Sequence, residues 1–157
     1  MRRLLIVWHS QFGGTAQMAD AVFARVDQCD LFIAVAAAAD YTPFEPREQK
    51  IKKSGENLTI ILKPTTDILA TVAARPNAPF CVGFAAESQD VLRLGEEKRR
   101  HKKLPLIVAN RAQEALGSDA NEITLLDDEG AHALPRMEKL ALARRLVEEI
   151  ARRLPRP

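Results

Sequence analysis

Cysteine is nearly absent from this chain: Cys29 and Cys81 are the only two among 157 residues. Two are too few for a disulfide framework, and both sit in apolar stretches, which suits a reduced compartment. Net charge is small as well. Lysine plus arginine total 23 against 21 acids, and the resulting +2 gives no electrostatic footprint for nucleic acid. Long hydrophobic runs are also missing. The longest, Leu31 to Ala39, falls well short of the roughly 18 residues that suggest a membrane span. Met1-Arg2-Arg3 followed by Leu4 to Trp8 has the order of a signal peptide, but its apolar run is short and no convincing cleavage site follows. His9, His101 and His132 lie near no cysteine or carboxylate at metal-ligand spacing, so no zinc site is expected. There is no Gly-x-Ser-x-Gly elbow and no Walker loop. What remains, at 46% hydrophobic and 28% charged, reads as one cytoplasmic globular domain over 1–157.

The apolar residues are arranged in short blocks. Leu4 to Trp8, Leu31 to Ala36, Leu58 to Leu62, Pro79 to Phe84 and Leu106 to Ala109 read as strands. Leu4 to Trp8 and Leu31 to Ala36 read as buried on both faces. Between the blocks, Ala16 to Val26 has helical spacing, Thr66 is an expected N-cap for a helix through Ile68 and Val72, and Ser88 to Lys102 reads as a charged helix. Glu122 to Leu126, an Asp128-Glu129-Gly130 turn and His132 to Leu134 read as a hairpin. In the last helix Met137, Leu140, Ala141, Val147, Ile150, Ala151 and Leu154 are expected to share the apolar face. Alternating strands and helices predict an α/β fold: three layers, a mostly parallel Rossmann-like sheet with helices on both faces, and a C-terminal β-hairpin. Ligands of such sheets bind beyond the carboxyl ends of the strands.

Several polar residues stand where chemistry is plausible. Asp40 follows an apolar strand, where a carboxylate faces a ligand, a cation or water, or else caps a loop. Lys50, Lys52 and Lys53 lie in the long connection from Asp40 to Asn57. Such connections are often functional, and two converging ammonium groups could hold a di- or triphosphate. A solvated, aggregation-resistant edge is the commoner meaning of such a cluster. Lys98 to Lys103 ends a helix, where cations complement the dipole. Lys98 and Lys102 stand one turn apart and could reach one anion together.

Ser10-Gln11-Phe12-Gly13-Gly14-Thr15 follows the first strand, and backbone N–H groups in such a turn can cradle a phosphate. Leu4 to Thr15 resembles the flavodoxin FMN loop, with Phe12 where that family has a hydroxyl. The only tryptophan and tyrosine, Trp8 and Tyr41, both read as strand ends. No evident aromatic pair remains to sandwich a flavin, so tight FMN binding is not expected.

Residues 16–154 resemble the synthetase domain of the DNA/pantothenate metabolism flavoprotein family, the phosphopantothenate–cysteine ligase. The resemblance rests on Asp30-Leu-Phe-Ile-Ala-Val-Ala-Ala-Ala-Ala-Asp-Tyr41, Glu48-Gln-Lys-Ile-Lys-Lys-Ser-Gly55 and Thr66-Asp-Ile-Leu-Ala70. It continues through Val82-Gly-Phe-Ala-Ala-Glu87, Leu106-Ile-Val-Ala-Asn110 and Asp119-Ala-Asn-Glu-Ile-Thr-Leu-Leu-Asp127.

The resemblance implies activation of 4′-phosphopantothenate by CTP as an acyl-cytidylate, then attack by cysteine. It carries the CTP site over to Ala34, Val35, Ala36, Asp40, Lys50, Thr66, Asp67, Ile68, Leu69, Phe84, Lys98 and Lys102. Lys50 is the expected catalytic cation, and Phe84, read as a strand end, the expected face for the base. The resemblance also implies magnesium, with ligands unnamed, and a homodimer. Thr66 replaces the family's usual proline. Gly13-Gly14-Thr15 runs directly into Ala16, where the family has several dozen residues, including an Asn-Arg-Ser-Ser-Gly-Lys-type segment that handles the acyl intermediate. The ligase is therefore expected to be incomplete. Two other readings stay open: a flavodoxin-like FMN binder, and a non-catalytic remnant.

Overall fold

The structure, a computed structural model, describes residues 3–7, 14–46, 49–115 and 117–155. Trp8, His9, Ser10 to Gly13 and Glu48 lie outside these residues.

The apolar blocks form strands β1 (Leu4–Val7) and β2 (Leu31–Ala34). A short strand pair, β3 (Tyr41–Pro43) and β4 (Leu62–Pro64), stands apart from them as an antiparallel ribbon. The main sheet continues with β5 (Phe80–Glu87), β6 (Leu106–Arg111), β7 (Ala120–Asp127) and β8 (Gly130–Glu138). Its order is β1-β2-β5-β6-β7-β8. The first three pairings are parallel and the last two antiparallel, so the mostly parallel sheet and the C-terminal hairpin are both present.

Continuous apolar strands need cover on both faces, and both receive it. Phe32, Cys81, Ala85, Ile107 and Ala109 pack under α1 (Thr15–Phe23), α2 (Ile68–Ala73) and α3 (Val91–His101). A 3₁₀ turn at Val26–Gln28 adds Val26 to that layer. Leu31, Ile33, Val82, Leu106 and Val108 face the other way, toward Leu142 and Ile150 of α5 (Lys139–Arg153). A one-turn helix, α4 (Ala112–Ala115), joins β6 to β7. Each fully buried Val or Leu here contributes about 1.5–3 kcal/mol. Close approach of α3 depends on Gly95, where a Cβ would come within 2.9 Å of Leu126 Cδ1 and 3.2 Å of Ala109 Cβ.

The buried Arg99 ties α3 to the hairpin turn. Its guanidinium donates to the Leu104 carbonyl at 3.1 Å and pairs with Glu96 at 2.7 Å and Asp128 at 2.8 Å. At the turn itself Gly130 has φ +124, a conformation that favours glycine. Among the described residues no helix is long and apolar enough to cross a membrane.

Several expectations need correction. Leu58 to Leu62 does not form a third buried strand. Only Leu62 belongs to a strand, and Leu58, Ile60, Ile61 and Leu62 are all exposed. The pattern could not reveal that β1 and β5 already occupy both edges of β2. β1 is an outer strand, and its first residue, Leu4, is exposed. Tyr41 opens β3 and does not end a strand. Phe84 is likewise interior to β5. The first helix stops at Phe23, short of Val26. The N-cap of α2 is Asp67, not Thr66, because the Asp67 carboxylate is the group that reaches the Ala70 amide. In α5 the expected Ile150 is buried and Leu154 packs on the same core, but Leu142 and the partly buried Leu146 complete the stripe, while Leu140 and Val147 are exposed and Met137 belongs to β8. Helical spacing alone left the turn of this face open, and the seating of α5 against β8 decided it.

Candidate functional site

Beyond the end of β2 the chain leaves the sheet through Val35 to Ala39, a run with small side chains. Hydroxyls hold this run in place. Thr65 donates to the Ala39 carbonyl, Thr15 reaches the same oxygen at 3.4 Å, and the Thr65 amide donates to the Asp40 carbonyl at 2.9 Å. The loop, the start of α2 and the end of α3 thereby enclose a cavity of about 270 Å³. Met18, Val22, Phe32 and Ile107 give it an apolar floor. Asp40, Asp67, Lys98 and Lys102 supply its charges.

Two carboxylates hold the two lysines. Lys102 Nζ lies 2.9 Å from Asp67 Oδ2, and Lys98 Nζ lies 2.6 Å from Glu87 Oε1. Asp67 also accepts from the Ala70 amide at 3.0 Å. Burial raises the Asp67 carboxyl, but the Ala70 amide and the Lys102 ammonium outweigh it and leave the group below the ordinary carboxylate range. An acid here also suits the positive end of α2. The helical period expected of Lys98 and Lys102 is realised, since both line the cavity.

Every residue assigned from the sequence to a nucleotide site borders this cavity except Val35 and Lys50. Val35 is exposed on the loop. Lys50 lies exposed on the connection between β3 and β4. Phe84 alternates with Gly83 and Ala85 and pairs in register with Val108, so it faces the α5 side. It reaches the cavity because β2 stops pairing with β5 at Ile33–Val82, two residues earlier. Thr65 and Glu87 were not singled out from the sequence. Thr65 neighbours the expected cap, and Glu87 ends a strand as Asp40 follows one, but only the fold places either beside the cavity.

No group of three or more His, Cys, Asp or Glu side chains converges as a metal site among the described residues. The Ser10–Gly13 part of the expected phosphate loop lies outside them. The cavity thus combines an apolar floor with the backbone of the alanine run and the two ammonium groups. Such a site can take a flat heterocycle with an anionic tail.

The sequence model of the DNA/pantothenate metabolism flavoprotein C-terminal domain matches residues 7–154. The chain belongs to this family. Over 133 residues it is 46% identical to the coenzyme A biosynthesis bifunctional protein CoaBC of Vibrio cholerae, covering 81% of this chain and 33% of that protein. The chain therefore spans about a third of the length of that relative. A crystal structure of the C-terminal domain of CoaBC superposes with a TM-score of 0.68 at 29% identity, covering 87% of this chain and 60% of the other. A Cab2 variant in complex with phosphopantothenate-cysteine shares the fold, with a TM-score of 0.70 at 17% identity over 87% of this chain and 49% of that one. The family's Rossmann-like α/β domain is the fold described above.

Proposed function

We propose that the cavity binds CTP and that this chain carries the nucleotide-binding part of a cytoplasmic phosphopantothenate–cysteine ligase of coenzyme A biosynthesis. The observation that carries this reading is the convergence of the loop after β2, the start of α2 and the Lys98/Lys102 pair on one cavity, in a chain of this family. The alanine run and Phe84 supply the base side, where the backbone of the run can read the edge of a cytosine. Lys98 and Lys102 face the triphosphate.

In the reaction a carboxylate oxygen of 4′-phosphopantothenate bonds to the α-phosphorus of CTP. The bond from that phosphorus to the bridging oxygen breaks, and pyrophosphate leaves with the electron pair. The cysteine amine then bonds to the acyl carbon, CMP departs, and the amine loses a proton. Negative charge builds on the phosphate oxygens in the first step, and preorganised ammonium groups stabilise it. Magnesium bound through nucleotide phosphates needs only one or two protein carboxylates. Asp40 fits that need, because it lines the cavity and makes no ion pair among the described residues. When bound, the metal would neutralise triphosphate charge.

Lys50 does not line the cavity, and the catalytic role expected of it requires the β3–β4 connection to close over the nucleotide. The exposed apolar ribbon of Phe44, Leu58, Ile60 and Ile61 supports a second copy of the chain as partner. Nucleic acid is not a partner in this reading.

Calorimetry with magnesium tests the proposal. CTP is expected to bind more tightly than ATP, and absent CTP binding or equal affinity for ATP would count against it. Pyrophosphate release with CTP and 4′-phosphopantothenate separates a working ligase from a non-catalytic remnant. Stoichiometric flavin in the purified protein would favour the FMN-binding reading.

A further inference from the structure

Glu87 closes β5 on the face covered by α3, directly behind Lys98. Its side chain is 14% exposed, whereas that of Lys98 is 50% exposed. Oε1 is fully enclosed and makes no well-formed hydrogen bond. The Lys98 ammonium lies 2.6 Å from it. A carboxylate taken out of water needs its partner far more than an exposed ammonium does.

Lys98 is therefore not a free anion receptor. A phosphate that takes its ammonium must leave the Glu87 oxygen enclosed and unpartnered, or share the ammonium with a like charge close by. The Lys102 pair differs. Asp67 is 47% exposed and keeps its bond from the Ala70 amide, so it loses little when Lys102 turns to another anion.

We propose that Glu87 competes with the incoming phosphate for Lys98 and thereby sets the affinity of the cavity for polyphosphate. This rests on the reading of the cavity as a nucleotide site. Glu87 touches no ligand in this role and acts through Lys98. The apolar cavity floor can be left untouched by its substitution, so base recognition is unaffected.

The test is calorimetry of the full chain with two probes, CTP and inorganic tripolyphosphate. Glu87→Gln should tighten both by about tenfold, the scale of one charge-assisted contact. Glu87→Asp, whose shorter carboxylate withdraws from Lys98, should give an intermediate gain and guards against misfolding of the amide variant. In a Lys98→Ala background, Glu87→Gln should give a clearly smaller gain, because the ammonium for which the two anions compete is gone and only direct repulsion between Glu87 and the phosphate remains. Glu97→Gln, which removes the same charge from the exposed side of α3, should also stay within about twofold.

Unchanged or weakened binding in both Glu87 variants would overturn the proposal while leaving the nucleotide site standing. An equal gain without Lys98 would overturn it too, since the effect would then be a diffuse field. Binding by Glu87→Gln but not by the parent chain would support it. No binding by any variant would overturn the nucleotide reading and this proposal together.

Discussion

The Lys102 ammonium and the Asp67 carboxylate are 2.9 Å apart, and the other oxygen of that carboxylate caps α2. One side chain thus fixes the start of a helix and one wall of the cavity. Asp67→Ala should lower stability by about 1 kcal/mol, the usual worth of an N-cap. Asp67→Asn keeps an acceptor for the Ala70 amide and should lose less. Denaturant titration of both variants checks this, and an equal loss would show that the cap contributes nothing.

The lysines separate a defined site from a charged surface. Lys98→Ala and Lys102→Ala should each weaken CTP by roughly tenfold or more, since a contact to phosphate is worth about 1.5–3 kcal/mol. Lys53→Ala removes the same charge from the exposed connection and should cost well under about 1 kcal/mol, fading with added salt. Lys50→Ala should resemble Lys53→Ala in CTP affinity, because Lys50 does not line the cavity. A loss at Lys50 matching that at Lys98 would mean the connection closes over the nucleotide.

Acid should weaken the fold through Glu96. Hydrogen bonds from Arg99, then from Arg100, outweigh burial and hold its carboxyl at about 2, against an ordinary 4.5. A carboxyl depressed in the folded state stabilises fully above its unfolded value and loses that contribution as pH falls through the folded one. Stability should therefore drop between pH 4.5 and about 2. Glu96→Gln should flatten that part of the profile in urea melts, and an unchanged slope would sink the assignment.

The ribbon bears on assembly. Ile61 is 71% exposed, beside exposed Leu58, Ile60 and Phe44. If these residues meet a second copy, sedimentation should show a dimer, and Ile61→Asp should shift it toward monomer while leaving the circular dichroism of the fold unchanged. A monomeric parent chain at high concentration would rule this partner out.

Features that depend on near neighbours were legible in the order of the amino acids. Leu31 to Ile33 and Leu106 to Ala109 had to be covered on both faces, the Asp128-Glu129-Gly130 turn had to fold back, and a helical period had to align Lys98 with Lys102. Tertiary structure decided what depends on competition between distant segments. Leu58 to Leu62 is as apolar as a core strand, yet β1 and β5 flank β2 and leave it no place in the sheet. α5 buries Leu142 beside the expected Ile150 and leaves Leu140 and Val147 exposed, because its seating on the sheet decides how the apolar face is turned. Thr65 and Glu87 gain their roles from Ala39 and Lys98, partners 26 and 11 positions away, across a cavity that exists only once β2, α2 and α3 have packed. Local periodicity encodes which side of an element is apolar. It does not encode which neighbour that side will meet, because that choice is made by the packing of the whole sheet.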